Sequence, residues 1–174
     1  DLNRSALKEI KTLDPTIKTK CFNVNDSDRL KSFLKPADIV LIAVPGHMGY
    51  KLLEKIIDFK KNIVDISFSP ENILSLNKKA KDNNITVVFD AGLAPGIPNF
   101  LLGQIDAKEN VKSFKYFVGG LPKHPKPPYN YKAPFSPIDV IEEYTRPARI
   151  MKNGEKITRP ALTDIEEKIY PGIG

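Results

Sequence analysis

Ile39-Val40-Leu41-Ile42-Ala43-Val44 is a run of six consecutive apolar residues, most of them β-branched, closed by Pro45-Gly46. Such a run reads as a strand buried on both faces of a parallel sheet. The residues after it, Met48 to Phe59, carry Leu52, Leu53, Ile56 and Ile57 at helical spacing, which predicts a crossover helix. Asn62 to Ile66 is the next strand, and Ser67-Phe68-Ser69 follows it. Ser69 stands before Pro70, a helix-start signature, and Ile73, Leu76 and Ala80 form an apolar stripe beyond it. Ile85 to Phe89 is a further strand. Strand-loop-helix units of this length connect right-handedly and build a parallel sheet.

Upstream, Asn3 or Ser5 caps a first helix that runs to about Lys11, ahead of Pro15. Ile17 to Val24 reads as a moderate strand. Asn25-Asp26-Ser27-Asp28 offers the cap of a short helix from Arg29 to Leu34. Downstream, the third strand stops at Asp90, and the turn Ala91-Gly92-Leu93-Ala94-Pro95-Gly96-Ile97-Pro98-Asn99 leads into a helical segment at Phe100-Leu101-Leu102. In open parallel sheets, ligands lie at such C-terminal strand ends.

Beyond Asn110 the texture changes. Val111 to Val118 has strand composition, Gly119-Gly120-Leu121-Pro122 ends it, and a loop with Pro125, Pro127 and Pro128 follows. Pro137 to Tyr144 reads as a helix, and Asn153-Gly154 between short apolar runs predicts a hairpin. The expected architecture is therefore α/β. Residues 1–108 read as a partial dinucleotide-binding domain of Rossmann type without its first strand. Residues 109–174 read as the start of a mixed-sheet substrate and dimerisation domain. Both ends look cut, and the tail from Ile169 to Gly174 reads as turn-like.

Composition narrows the function. With 41% apolar and 28% charged residues in 174, the chain is of ordinary globular type, and it contains no apolar run of membrane-spanning length or leader pattern. One cysteine, Cys21, cannot form an internal disulfide, so the cytoplasm is the expected compartment and Cys21 reads as a small core hydrophobe. Cys21, His47 and His124 are not a zinc ligand set, and no metal is expected. The net charge of +6 is carried by lysines mixed with acids along helices rather than by a basic stripe, which argues against nucleic acid as a partner.

Candidate site residues fall into two groups. Strand ends supply Val44, Pro45, His47, Asp65, Ser67, Asp90, Gly92, Leu93 and Pro95. Asp65 and Asp90 are candidates to orient an amine or the nicotinamide ribose, or to cap the turns that follow them. His47 is a candidate general acid or base, or a wet cap residue. The second group is Gly120, Tyr131, Lys132, Phe135 and Arg146. A guanidinium pairs with a carboxylate in a fork, and a desolvated lysine serves as a base near neutrality. The dinucleotide fingerprint G-x-G-x-x-G is absent, and Gly46 and Gly49 cannot replace it, so these 174 residues alone are expected to bind NAD poorly.

Several ordered blocks carry a resemblance: Asp65-Ile66-Ser67, Asp90 to Asn99, Gly119-Gly120-Leu121-Pro122, Asn130 to Pro137, and Ile141 to Ile150. On these the chain resembles the saccharopine dehydrogenase-like family, most of all its branch that dehydrogenates L-lysine at the ε-amine. The resemblance implies a Rossmann domain interrupted by an α/β substrate domain, often in a homodimer, with NAD as cofactor. Hydride would leave the amine-bearing carbon of L-lysine in the cleft between domains. The imine would hydrolyse to ammonia and a semialdehyde that cyclises to piperideine-6-carboxylate.

In this picture Asp65 and Asp90 face the amine, Tyr131 and Lys132 close the pocket, and Arg146 holds the carboxylate. Asp1 would bind the adenosine ribose diol, and an acid there favours NAD over NADP, although Arg4 stands close in sequence to offset a phosphate. Glutamate-forming members typically carry Asp before the Pro-Gly of the Asp90 block and Asp-His after its isoleucine. This chain has Ala94 and Pro98-Asn99 there. The rival readings are a saccharopine reductase that condenses a semialdehyde with glutamate, and a non-catalytic piece of a split enzyme.

Overall fold

The computed structural model describes residues 1–169, and the turn-like reading of the tail beyond Ile169 lies outside them. Its contacts divide the chain into a unit of Asp1–Tyr116 and a second unit that begins at Phe117. The fold is α/β.

In the first unit β1 (Ile39–Ile42), β2 (Asn62–Asp65) and β3 (Val87–Val88) form a parallel sheet in the order β1-β2-β3. The register pairs Ile42 with Asp65 and Val64 with Val88. Helix α3 (Gly46–Asp58) crosses from β1 to β2 and buries Leu52, Leu53, Ile56 and Ile57 against Val40, Ile42 and Ile63. At roughly 1.5–3 kcal/mol for each large apolar side chain taken from water, this stripe is the main apolar contribution to the unit. Before the sheet come α1 (Arg4–Leu13), capped by Asn3, and α2 (Ser27–Leu34), capped by Asp26. Leu30 of α2 joins the same core.

Three sequence expectations change here. The sheet is not covered on both faces. Val40 and Ile42 are buried, but Ile39 and Leu41 are 60% and 63% exposed, because helix α3 packs on one side only. Ile17 to Val24 is not a strand: its one inter-segment backbone bond runs from the Phe22 N–H to the Asp1 carbonyl at 3.2 Å. The segment is anchored instead by the Phe22 and Phe33 rings, 5.7 Å apart. Cys21 lies exposed rather than in the core, its thiol against the Leu2 carbonyl.

The Ser69-Pro70 signature does not open a helix. Asn72 is the cap, its side chain accepting from the Leu74 N–H ahead of a 3-10 turn at Ile73–Leu76 and the short α4 (Asn77–Asp82). Lys79 of α4 bridges to Asp58 at 2.9 Å and Glu54 at 3.4 Å on α3. After β3, α5 (Ile97–Asp106) leaves Ile97, Phe100, Leu101 and Ile105 about half exposed.

The predicted strand from Val111 to Val118 is irregular, because no neighbouring segment among the described residues completes a ladder with it. In the second unit α6 (Pro137–Thr145) starts on its proline and buries Val140. β4 (Ala148–Lys152) and β5 (Glu155–Arg159) form the predicted hairpin, with Asn153 and Gly154 both at positive φ (53° and 81°), as a two-residue turn demands.

Candidate active site at the strand ends

The parallel register aligns the C-terminal ends of the three strands side by side. The ladder continues past the strands, from the Ile66 N–H to the Ile42 carbonyl and from the Ala91 N–H to the Asp65 carbonyl, each 3.0 Å. Three turns thus share one edge: Val44 to His47, Asp65 to Ser69, and Asp90 to Gly96.

The first turn places Pro45 just ahead of α3, with no side chain capping the helix and His47 exposed. Asp1, Val44 and Pro45, all predicted to contact cofactor, line one groove of about 450 Å³ along the open edge of β1, together with Phe22, Leu41 and Met48. The Asp1 carboxylate accepts from the Asn3 N–H at 2.8 Å.

In the second turn Asp65 is only 1% exposed. Its Oδ1 accepts from the Ser67 N–H at 2.9 Å and from the Ser67 hydroxyl. Burial pushes this carboxyl above its ordinary range, against the lowering effect of the two Ser67 bonds. The group expected to face an amine is therefore spent inside the fold. Ser67 and Ser69 are buried with it, and Ser69 donates to the Gly46 carbonyl at 3.4 Å. Gly49, a residue that sequence reasoning set aside, packs directly on both serine hydroxyls. Its signal in the sequence was faint: a small residue one turn into a helix opposite a serine-rich loop.

In the third turn Asp90 is half-buried at φ +50°. The Ile97 N–H reaches back to the Gly92 carbonyl at 3.1 Å, the Ala94–Pro95 peptide is cis, and Leu93 is exposed. Asn99 closes the turn, its Oδ1 accepting from the Gly96 N–H at 3.2 Å while its own N–H donates to the Gly96 carbonyl at 2.9 Å.

In the second unit Gly120 lies against the Pro134 ring, next to Phe135. Tyr131 is exposed, and partial desolvation with the nearby Tyr144 and Glu143 pushes its phenol pKa up, which keeps the hydroxyl protonated. Lys132 is exposed. Arg146 is committed to its own helix: Nε and Nη2 reach Glu142 Oε2 at 2.9 and 2.7 Å. Among the described residues no three or more His, Cys, Asp or Glu gather to hold a metal ion, and no helix is long and apolar enough to cross a membrane.

A parallel sheet whose adjacent strand ends carry small, turn-forming residues and an acid beside a groove defines a nucleotide-binding α/β protein. The particular family follows from comparison. Residues 1–88 match the family model described as the saccharopine dehydrogenase NADP binding domain, and residues 92–173 match the saccharopine dehydrogenase C-terminal domain. The chain belongs to the saccharopine dehydrogenase family of oxidoreductases.

It is 32% identical over 142 residues to the alpha-aminoadipic semialdehyde synthase of Arabidopsis thaliana, covering 78% of this chain and 13% of that protein. It is 29% identical over 163 residues to the saccharopine dehydrogenase [NADP(+), L-glutamate-forming] of Pyricularia oryzae, covering 87% of this chain and 36% of that protein. The apo saccharopine dehydrogenase (L-Glu forming) of Saccharomyces cerevisiae shares the fold, with a TM-score of 0.60 at 24% identity over 95% of this chain and 40% of that one. The chain thus spans well under half the length of these relatives.

Asp1, with its carboxylate, and the Val44–Pro45 turn line one groove beside the strand ends, the place and chemistry that the ribose of a nucleotide would fit. The sequence holds no glycine-rich fingerprint for the pyrophosphate.

Proposed function

We propose that the polypeptide carrying these residues is a nicotinamide-dependent dehydrogenase that oxidises the carbon bearing the ε-amine of L-lysine. The observation that carries this reading is the chemistry of the turn after β3. From Ala91 to Gln104 there is no ionisable side chain, and the amide of Asn99 is spent on the Gly96 N–H. Such a turn offers nothing to the additional carboxylates of saccharopine. Arg146, partly neutralised by Glu142, suits a substrate with one carboxylate.

The bound nucleotide supplies the hydride acceptor. In this reading Asp90 is the first unit's group for the amine, and the second unit contributes Tyr131 and Lys132 as proton-carrying groups and Gly120 and Phe135 as substrate-side residues. His47, Gly92, Leu93 and Pro95 border the nucleotide, and Ser67, buried against Asp65, supports that border from inside the fold. Asp1 supports NAD, since an acid at the ribose repels a 2′-phosphate, whereas the family model carries NADP in its description. We place the division between nucleotide and substrate parts at 108/109, where α5 has ended. A homodimer is supported by the apolar residues that the second unit leaves exposed, among them Val118, Leu121, Ile141 and Met151. The lone Cys21 supports a reducing compartment, the cytoplasm.

The second reading, glutamate-forming saccharopine dehydrogenation, is favoured by the activity for which the Pyricularia oryzae relative is named. Assays of the full polypeptide with L-lysine and with saccharopine, each with NAD and NADP, separate the two. Ammonia release and NADH formation from L-lysine is the expected result. Turnover of saccharopine alone overturns the lysine reading, and a preference for NADP overturns the role given to Asp1.

A further inference from the structure

The start of α3 meets the loop after β2 at Gly49, which adds no side chain of its own to the contact with Ser67 and Ser69. A Cβ on Gly49 would fall on the hydroxyls of Ser67 and Ser69, and 3.0 Å from the Ser67 Cβ. Neither hydroxyl is at liberty to turn away. Ser67 is bonded to Asp65 through both its hydroxyl and its N–H, and Ser69 is bonded to the Gly46 carbonyl. All three polar residues are buried, so turning Ser67 aside would take a hydroxyl donor from a desolvated carboxyl, a costly exchange.

Asp65 also touches the other two strand ends through its backbone. It pairs with Ile42 in the ladder, and its carbonyl accepts from Ala91. One buried residue thereby lies against the end of β1 on one side and the start of the third turn on the other.

We propose that Asp65, with Ser67 and Gly49, is a positioning group: it sets the height of the Val44–His47 turn over the strand ends and so shapes the nucleotide seat without touching the reacting atoms. This rests on the reading that the strand ends take a nicotinamide nucleotide. Gly49 has no room for a methyl group because α3 is seated directly on the side chains of Ser67 and Ser69. The interval between the first and second turns is therefore fixed by the smallest side chain available.

The test uses the full polypeptide, with NADH and NADPH titrated by fluorescence and near-UV circular dichroism as the check of folding. Gly49→Ala is expected to weaken nucleotide binding on the order of tenfold to a hundredfold, the cost of an ångström-scale misplacement. The KM for nucleotide should rise in step while kcat at saturating nucleotide holds within about threefold, a split that loss of folded protein alone would not produce. Ser67→Ala, which adds no bulk, should weaken binding in the same direction. If Gly49→Ala fails to fold, Ser67→Ala decides. Wild-type affinity in a folded Ser67→Ala protein overturns the positioning role while leaving the nucleotide reading intact. Failure of the wild type to bind either nucleotide overturns the underlying reading, and the positioning role with it.

Discussion

Gly96 lies directly on the backbone of Gly92, so that a Cβ at residue 96 would coincide with the Gly92 carbonyl. The contact closes the turn after β3, and Gly96 holds φ at +151°, a conformation that side chains do not tolerate. Gly96→Ala is therefore expected to destabilise the first unit by about 2 kcal/mol or more. Gly103, inside α5 with open space around it, is the control. Gly103→Ala should stabilise by about 0.5–1 kcal/mol, because alanine is the better helix former and restricts the unfolded chain. Urea midpoints of the two variants check both signs at once.

What the sequence made legible follows from the range of the forces involved. The strand from Ile39, the stripe Leu52-Leu53-Ile56-Ile57 and the Asn153-Gly154 hairpin are local patterns, and each appears where its period or turn residue predicts. The strands predicted at Ile17–Val24 and Val111–Val118 fail because strand propensity becomes a strand only when a neighbour completes the ladder, and that neighbour is not encoded in the segment itself. Exposure of Ile39 and Leu41 has the same origin: composition reports that a face is apolar, not that a helix arrives to cover it.

At the site, the alignment of strand ends was readable from topology. The commitment of Asp65 to Ser67 was not, because a strand-end aspartate reads the same whether its carboxylate points to a crevice or into the fold. Gly49 was missed for a related reason, since its importance lies in contacts eighteen and twenty residues away in the chain.

Asp65 gives a pH signature. Burial raises its folded pKa above the unfolded value of about 3.9, so the folded chain binds more protons than the unfolded chain between the two values. Its contribution is fully present below the unfolded pKa and is lost as pH rises through the raised folded value. Asp65→Asn keeps an acceptor for the Ser67 N–H while removing the buried charge. Thermal midpoints of the variant should lack the wild type's decline over that window and equal or exceed the wild type at pH 7. A variant that loses stability equally at every pH would refute the assignment of the decline to this carboxyl.

Lys79 joins α4 to α3 through Asp58 and Glu54, which together hold its ammonium above the ordinary lysine range. The interaction is present at neutral pH and is lost as pH rises through the raised value. Both acids are about half exposed, so solvent screens the pair. Lys79→Met should cost only about 0.5 kcal/mol at low salt and less at high salt. Denaturant midpoints at two ionic strengths, compared with the wild type, check the magnitude and its salt dependence.

Arg146 and Glu142 make the sharpest test of substrate choice. The guanidinium gives two bonds to one carboxylate oxygen and thereby has part of its charge answered before any substrate arrives. If this arginine holds the single carboxylate of lysine, Arg146→Lys should raise the KM for L-lysine on the order of thirtyfold, since a point charge replaces a planar fork at a cost of about 2 kcal/mol. Glu142→Gln leaves the fork in place but removes the opposing charge. It should hold the KM for L-lysine within about threefold and improve the affinity for saccharopine, whose extra carboxylates then meet an uncompensated cation. Steady-state KM values for both compounds across the two variants give four numbers. An Arg146→Lys protein with an unchanged KM for L-lysine would remove Arg146 from the substrate site. A Glu142→Gln protein without any gain for saccharopine would mean that charge at this position does not set the choice.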